Sequence, residues 1–191
     1  MRFTPASEAE WDDVVRSFTG GGDGGSCWCQ WFPLTSREFQ ESSRDDRRDR
    51  LRAEIADSRP APGLVAYVDH QAAGWVRIGP RTAQGRLPNT RMVKNGAQPT
   101  DDPAVWAVSC LVVRREYRRR GVAAGMVQAA VAYAESYGAR LIEAYPIDTG
   151  LRPSRSNELF VGSVPLFERA GFRITARPTA ARAVMARDLG A

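Results

Sequence analysis

Residues 105–137 read VWAVSCLVVRREYRRRGVAAGMVQAAVAYAESY. The run Val105–Val113 is apolar on both faces of an extended chain, which predicts a strand in the middle of a sheet. A turn with five arginines in seven residues, Arg114–Arg120, leads to Gly121 and to a helix of small residues, Val122–Tyr137. The first turn of a helix has unpaired N–H groups and a partial positive charge, so the start of this helix predicts an anion site.

The turn carries a short pattern that narrows the type of anion site. It contains neither the GxxxxGK[ST] of a P-loop nor the GxGxxG of a dinucleotide fold. Residues 118–123 read RRRGVA, an Arg-x-x-Gly-x-Ala pattern directly after the predicted strand. This resembles the acetyl-CoA signature of the GNAT-type N-acetyltransferases, Q/R-x-x-G-x-G/A. The stretch 166–172, LFERAGF, resembles the family's Leu-Tyr-x-x-x-Gly-Phe helix end, so the resemblance extends over residues 64–188. The alternative interpretation is a basic loop on an ordinary α/β core.

The resemblance implies an α/β (α+β) fold. It would be a mixed, twisted, mostly antiparallel sheet with helices on both faces and a splayed central pair of parallel strands. Those strands would be Val105–Val113 and the next apolar run, Arg140–Ile147. We expect one domain over residues 1–191, with N-terminal helices and a glycine-rich loop in residues 1–63 and the core in residues 64–188.

The same resemblance implies acetyl-CoA as the co-substrate and no metal. The pantetheine arm would pair with the backbone of Leu111 and Val113 like an added strand, and the pyrophosphate would bind backbone amides at the helix start. The expected cofactor-binding residues are Leu111, Val112, Val113, Arg118, Arg119, Arg120, Gly121, Val122, Ala123 and Ala124. Transfer in this family is direct, without an acyl-enzyme, and a strand amide stabilises the tetrahedral oxygen. Here that amide would be the one of Leu111.

The usual catalytic groups of the family do not carry over onto this sequence. The tyrosine that protonates the leaving thiolate is replaced by Phe167, and an asparagine that often opens the preceding helix aligns with Phe160. The strand position of a glutamate base in some relatives falls near Trp106 and Ala107, and neither is acidic. A base or a water path is still needed, because the acceptor amine must be neutral to attack the thioester.

Replacement groups are available on the second parallel strand. Glu143 and Tyr145 alternate along it and therefore share one side, so we take both as candidate catalytic residues. Burial would raise the pKa of the Glu143 carboxyl toward a useful value, whereas the alternative is a salt bridge with a nearby arginine. Ser109 and Cys110 also lie beside the expected thioester. A cysteine acyl carrier is the alternative there to a packed thiol.

Charge and cysteine content restrict the class of protein. The net charge is +5 and Lys94 is the only lysine, so arginine supplies nearly all the positive charge. Its densest cluster lies on the predicted phosphate turn, which a phosphate-rich cofactor explains without nucleic acid. No apolar run approaches the ~18 residues of a membrane span, and the N-terminus lacks the apolar core of a signal peptide, so we expect a cytoplasmic protein. Three cysteines are too few for a disulfide framework and predict free thiols.

The N-terminal part predicts helices around an aromatic segment. Ser7 and Glu10 have the spacing of a capping box for a helix that ends near Phe18. The glycine-rich residues 20–25 predict a flexible loop. The aromatic segment 27–32, CWCQWF, is interpreted either as a core plug or as a wall of the acceptor pocket. One long helix is predicted over Thr35–Ser58.

Strands and long loops make up the rest. A hairpin is predicted from Leu64–Val68 and Ala72–Ile78. The Pro- and Arg-containing segments 79–103 and 148–162 predict long loops beside the acceptor. The arginines of the first loop are interpreted either as contacts to an anionic acceptor or as side chains that face water. They are Arg81, Arg86 and Arg91. A short helix at 163–170 with Gly171 as its left-handed cap, then antiparallel strands 172–176 and 183–189, would close the sheet.

Three functional hypotheses follow. The first is an N-acetyltransferase that moves an acetyl group from acetyl-CoA to the amine of a small molecule. The second is an acyl-CoA-binding module or sensor without turnover, which Phe167 motivates. The third, nucleic-acid binding, ranks below both because the arginines lack interleaved aromatic residues. The sequence leaves the oligomeric state open; the resemblance adds a homodimer as one alternative, because the C-terminal strands often pair subunits in relatives.

Overall fold

Seven strands form one mixed sheet in the computed structural model, which describes residues 1–20, 24–154 and 158–190. The strands are β1 (Arg2–Pro5), β2 (Gly63–Val68), β3 (Gln71–Pro80), β4 (Val105–Val113), β5 (Leu141–Ala144), β6 (Arg173–Thr179) and β7 (Arg182–Asp188). Their order across the sheet is β1-β2-β3-β4-β5-β7-β6. The β4–β5 pair is parallel and the other five neighbouring pairs of these strands are antiparallel. This confirms the predicted fold class.

The two central strands separate halfway along β4. β5 pairs with Val105–Val108 only, whereas β4 continues to Val113 beside β3 alone. The prediction that the second strand extends over Arg140–Ile147 was therefore too long. Pro146 has no N–H for a ladder, and Ile147 instead forms isolated bridges with Ser163 and Arg182.

Helices cover both faces of the sheet. They are α1 (Trp11–Ser17), α2 (Gly24–Cys27), α3 (Ser36–Glu41), α4 (Arg44–Asp57), α5 (Arg91–Lys94), α6 (Val122–Ser136) and α7 (Val164–Glu168). On one face α6 packs against β2, β3 and β4, where Met126, Val127 and Ala130 are fully buried. On the other face Leu51 of α4 joins Trp28 and Trp75 in a second core.

Two helix starts in the N-terminal part differ from the prediction, whereas the start at Thr35 is confirmed. Ser7 lies in a 3₁₀ turn, and α1 follows Glu10 without a side-chain cap, so the predicted capping box at Ser7 was wrong. The single helix predicted over Thr35–Ser58 is two helices, because Ser43 starts a new one. The Ser43 hydroxyl accepts from the Asp46 amide, while the Asp46 carboxylate accepts from the Ser43 amide.

Other boundaries follow the sequence more closely. Gly24–Cys27 forms the short α2, so part of the predicted flexible loop is helical, while residues 21–23 lie outside the described part of the chain. Gly171 has a φ of +82°, which confirms its left-handed cap after α7. In the described residues no helix combines the length and the apolarity needed to cross a membrane.

Candidate functional site

The start of α6 presents backbone N–H groups to its surroundings. Gly121 precedes the helix with a φ of +80°, and the helical ladder begins where the Gly125 amide donates to the Gly121 carbonyl. The amides of Val122, Ala123 and Ala124 therefore have no partner within the helix. Arg119 also has a positive φ of 59°, so the turn holds two left-handed residues close together, a geometry that makes anion-binding concavities.

Space is left open around this turn. A Cβ placed on Gly121 would meet nothing closer than Met1 Cε at 3.8 Å, and Ala124 is exposed. The local geometry therefore fits a pyrophosphate close to the backbone. The left-handed φ adds ~1–2 kcal/mol of backbone strain to any substitution of Gly121, so a bulky residue there would not leave the loop untouched. Gly125 serves packing instead, since a Cβ there would lie 2.5 Å from the Phe3 ring.

The free edge of β4 leads to this turn. The Arg114 amide donates to the Ala73 carbonyl of β3 at 3.0 Å. Backbone groups alternate in direction along a strand, so those of Val112 also face β3 while those of Leu111 and Val113 face the opposite edge. The Arg118 Nε reaches the Val113 carbonyl there at 3.2 Å. Apart from the Val113 carbonyl, which accepts from Arg118, the main-chain groups of Leu111 and Val113 thus face an edge of β4 that β5 no longer pairs with, as an added strand requires.

A bulge marks the point of separation. The register with β3 pairs Arg77 with Cys110 but Ile78 with Val108, so Ser109 is the extra residue of β4. Its side chain is completely buried, and its hydroxyl has no hydrogen-bond partner among the described residues. An unpaired buried hydroxyl is costly unless a ligand completes its hydrogen bonds. The sequence placed Ser109 near the expected thioester but did not indicate that its hydroxyl would be unpaired.

Phe167 occupies the core beside this edge. It is fully buried and meets the Phe172 ring edge-on at 5.2 Å between centroids. A Cβ built on Gly162 would approach Phe167 Cε2 to 2.6 Å and Leu111 Cδ1 to 3.2 Å, so both side chains close around that glycine. No hydroxyl is therefore available from the Phe167 position.

The two predicted catalytic residues meet in a buried cluster. Arg81 Nη1 donates to Glu143 Oε2 at 2.6 Å, and the Tyr145 hydroxyl donates to the same oxygen at 2.7 Å. Arg81 also donates to the Pro99 carbonyl. Burial, followed by the Glu143 charge, raises the pKa of Tyr145 well above its ordinary value. The salt bridge left open by the sequence is thus observed, while a catalytic role for either residue stays a prediction.

A cavity of about 440 Å³ lies over the same face of the sheet. The aromatic segment, the two long loops and β7 all contribute to it. Trp31 and Phe32 form part of its wall, while Trp28 and Cys29 are buried in the core. The core interpretation of the segment 27–32 is therefore confirmed for Trp28 and Cys29, whereas a wall of the acceptor pocket stays a prediction. The remaining lining residues are Ser36, Arg86, Asn89, Thr90, Met92, Phe160, Val161 and Arg182.

The cavity floor connects to the separating strands. Phe32 and Val161 belong to one buried cluster with Ala107 of β4 and Tyr145, which follows β5. The 3₁₀ turn that contains Val161 also packs along β4. The loop arginines differ: Arg86 lines the cavity, Arg91 is exposed, and Arg81 is completely buried in its ion pair. Arg155 and Asn157 of the second loop lie outside the described residues.

The cysteines are free thiols, as predicted. The Trp75 indole donates to Cys29 Sγ at 3.2 Å, and Cys110 is buried beside it. Burial and then the neighbouring Cys29 raise the pKa of Cys27 to about 11. The pKa of Cys110 is also raised well above its ordinary value, by its hydrogen bond with Cys29 and by burial. Within the described residues no three His, Cys, Asp or Glu side chains are grouped as a metal site would require.

Comparisons with known proteins agree with this geometry. The model of a family described as "Acetyltransferase (GNAT) family" matches residues 28–172. A comparison with curated protein sequences found no match.

Solved structures share the fold at low sequence identity. A ribosomal-protein-alanine N-acetyltransferase from Brucella melitensis has a TM-score of 0.58 at 14% identity, over 98% of this chain and 99% of its own. A GCN5-related N-acetyltransferase from Kribbella flavida has a TM-score of 0.55 at 18% identity, over 98% of this chain and 96% of its own. A GNAT acetyltransferase from Streptococcus pneumoniae has a TM-score of 0.54 at 15% identity, over 99% of each chain.

Proposed function

Because the chain belongs to the acetyltransferase (GNAT) family, we propose that it transfers the acetyl group of acetyl-CoA directly to the amine of a small molecule. The observation that carries the proposal is the alignment of two sets of main-chain groups. The outward groups of Leu111 and Val113 run along β4 toward the unpaired amides that follow Gly121. Together they suit a ligand with an amide-rich arm and a pyrophosphate.

Arginines around the turn support binding of a phosphate-rich ligand. Arg115, Arg118, Arg119 and Arg120 are exposed at the start of α6. Arg114 is engaged with the protein itself, since it donates to the Ala72 carbonyl and pairs with Glu116. The exposed guanidiniums are therefore the ones available to phosphate groups. Their charge would also raise the local concentration of an anionic co-substrate.

The acetyl thioester is the reactive group that acetyl-CoA would supply. The Leu111 amide is the candidate donor to the thioester oxygen, and the unpaired Ser109 hydroxyl is a candidate donor to the leaving sulfur. Glu143 and Tyr145 remain the candidates for handling the amine proton. Their mutual hydrogen bond and the Arg81 ion pair favour a positioning role in which they hold the cavity floor in place.

Binding and turnover separate this function from its alternative. Calorimetric titration with acetyl-CoA should give a measurable heat, and thiol release should appear with some member of a panel of small amines. Heat without thiol release from any amine would favour the acyl-CoA sensor, which the lack of a hydroxyl at Phe167 motivates. Absence of heat together with absence of a thermal shift would contradict both.

A further inference from the structure

The cavity of about 440 Å³ combines an apolar wall with two arginines. Phe32, Met92 and Val161 belong to, or pack against, one hydrophobic cluster and make one side apolar. Arg86 and Arg182 belong to different segments, the loop after β3 and the first position of β7, and both line the same cavity. The size fits a small metabolite rather than a protein segment.

Neither arginine forms an ion pair with a carboxylate of the described residues. No carboxylate oxygen lies within 4 Å of Arg86 or Arg182 in residues 1–20, 24–154 and 158–190. Arg86 donates its Nε to the Leu34 carbonyl at 3.0 Å and lies over the Trp31 ring at 4.2 Å, and its Nη2 has no partner there. Within the part of the chain that the structure describes, the Arg182 side chain donates through Nη1 alone, to the Tyr145 carbonyl at 3.2 Å.

These contacts orient both guanidiniums and leave donors unused. A guanidinium has five N–H donors, and its planar fork matches the two oxygens of a carboxylate. Charged groups near Arg182 are Arg152 and Glu158, which pair with each other. Desolvation, followed by Arg152, lowers the pKa of Arg182, and desolvation lowers that of Arg86. An incoming anion would offset both effects.

We propose that the acceptor is a small amine that also carries a carboxylate and an apolar body, with its carboxylate bound by Arg182 and Arg86. The inference rests on the proposed function, because it names the class of acceptor for the same site. The apolar body would lie against Phe32 and Val161, next to Tyr145 and Ala107, where the parallel strands separate. The carboxylate would lie on the side of the cavity that Arg86 and Arg182 line.

A matched ligand set tests the carboxylate directly. Acetylation by the full chain is measured with L-methionine, L-leucine and L-phenylalanine, with their C-terminal amides and with the amines that lack the carboxyl group. Binding of the N-acetylated products, N-acetyl-L-methionine against its amide, is measured separately by calorimetry. The product measurement does not require turnover, so it reports on the cavity even if the chain transfers no acetyl group.

Variants at Arg182 assign the effect to the cavity. Arg182→Met should raise KM for the carboxylated amine, or weaken binding of its acetylated product, by about tenfold or more, while Arg182→Lys keeps part of the affinity. The amide ligands should change less than about twofold. Arg37→Met is the matched control, because the Arg37 side chain is 86% exposed and lies outside the cavity lining. Thermal unfolding of each variant shows whether it is folded.

The outcomes distinguish the proposed class of acceptor from the proposed acetyltransferase function. Preference for carboxylated ligands that Arg182→Met removes supports the inference, whether it is seen in transfer or in product binding. Equal or stronger use of the amides, or product binding that ignores both the carboxylate and Arg182, overturns it. Turnover of amides alone would keep the acetyltransferase function and discard the acceptor class. Product binding with the carboxylate preference, but without turnover of any amine, would keep the carboxylate site at Arg182 and discard the acetyltransferase function.

Discussion

Arg81 and Glu143 form an ion pair in which neither side chain is more than 1% exposed, with 2.6 Å between Nη1 and Oε2. The pair joins the loop after β3 to β5 across 62 positions of the chain. The Tyr145 hydroxyl and the Pro99 carbonyl add hydrogen bonds to it, while the buried Arg81 Nε has no partner among the described residues. The pair therefore anchors the long 79–103 segment beside the strands that separate.

Removal of one partner of this pair should be strongly destabilising. We expect Glu143→Ala to lower the free energy of unfolding by about 3–5 kcal/mol, because it leaves the Arg81 charge buried and unpaired. Urea unfolding measures the loss. Glu41→Ala, in the exposed Arg37–Glu41 pair, is the control and should leave the free energy unchanged. A stable Glu143→Ala variant would show that the ion pair does not anchor the loop.

The role of Glu143 in proton transfer needs a gentler change. Glu143→Gln keeps an oxygen to accept from Arg81 and Tyr145 but removes the carboxylate. A positioning role predicts that kcat keeps its pH profile, whereas a general base would lose the limb of the profile that reports its ionisation. Measurement of kcat against pH with one saturating amine distinguishes the two.

A negative charge at the start of α6 should block the co-substrate without harming the fold. Ala124 is exposed in the first turn, where an acidic side chain is favourable for the helix. Ala124→Glu should therefore leave thermal stability intact and weaken acetyl-CoA binding by about tenfold or more through repulsion of its phosphates. Ala132→Glu places the same charge at an exposed site of the third turn and should bind normally. If the two variants bind acetyl-CoA equally well, the helix start is not part of its binding site.

Removal of the unpaired Ser109 hydroxyl should affect stability and activity in opposite directions. Ser109→Ala removes a buried polar group that lacks a partner, so the free energy of unfolding should stay the same or rise. If the hydroxyl donates to the leaving sulfur, kcat should fall by about tenfold while KM for acetyl-CoA changes little. Steady-state kinetics with one amine measures both. An unchanged kcat would assign the hydroxyl to packing alone.

Two glycines of β3 should differ in their tolerance of a methyl group. A Cβ on Gly74 would lie 2.4 Å from the Val112 carbonyl oxygen, which is backbone and cannot rotate away, whereas one on Gly79 meets nothing within 4 Å. We expect Gly74→Ala to lower the free energy of unfolding by about 2 kcal/mol or more, because it pushes β4 away from β3. The same displacement should weaken acetyl-CoA binding. Gly79→Ala should change neither the free energy of unfolding in urea nor the acetyl-CoA affinity in calorimetry.

The raised pKa of Cys27 predicts slow thiol chemistry and a loss of stability in alkali. With a pKa of about 11 instead of 9.0, only about one thiol in a thousand is ionised at pH 8, so thiol reagents should react slowly with the native chain. The unfolded thiol ionises near pH 9 and the folded one near pH 11, so stability is full below pH 9 and falls between these values. Cys27→Ala should flatten the decline in urea unfolding measured from pH 8 to pH 11. A decline of unchanged steepness would assign it to other groups.

Local chemistry explains why the strand–turn–helix unit of residues 105–136 was predictable. An apolar run long enough for a buried strand, a turn of arginines and a glycine before a helix are all properties of neighbouring residues. The strand Val105–Val113 and the helix start at Val122 follow from them without tertiary contacts. The helix start at Thr35 was predicted from the sequence, whereas the second start at Ser43 was missed because the charged run after it was interpreted as one continuous helical face.

By itself, the sequence determined the family, the central strand and the helix start after Gly121, since each depends on residues adjacent along the chain. Only the tertiary structure decided which arginine neutralises Glu143, where β4 and β5 separate, that Ser109 lies unpaired at a bulge, and which segments enclose the cavity. Those features arise between segments tens of residues apart, where many arginines and loops are chemically equivalent. Packing alone selects among them.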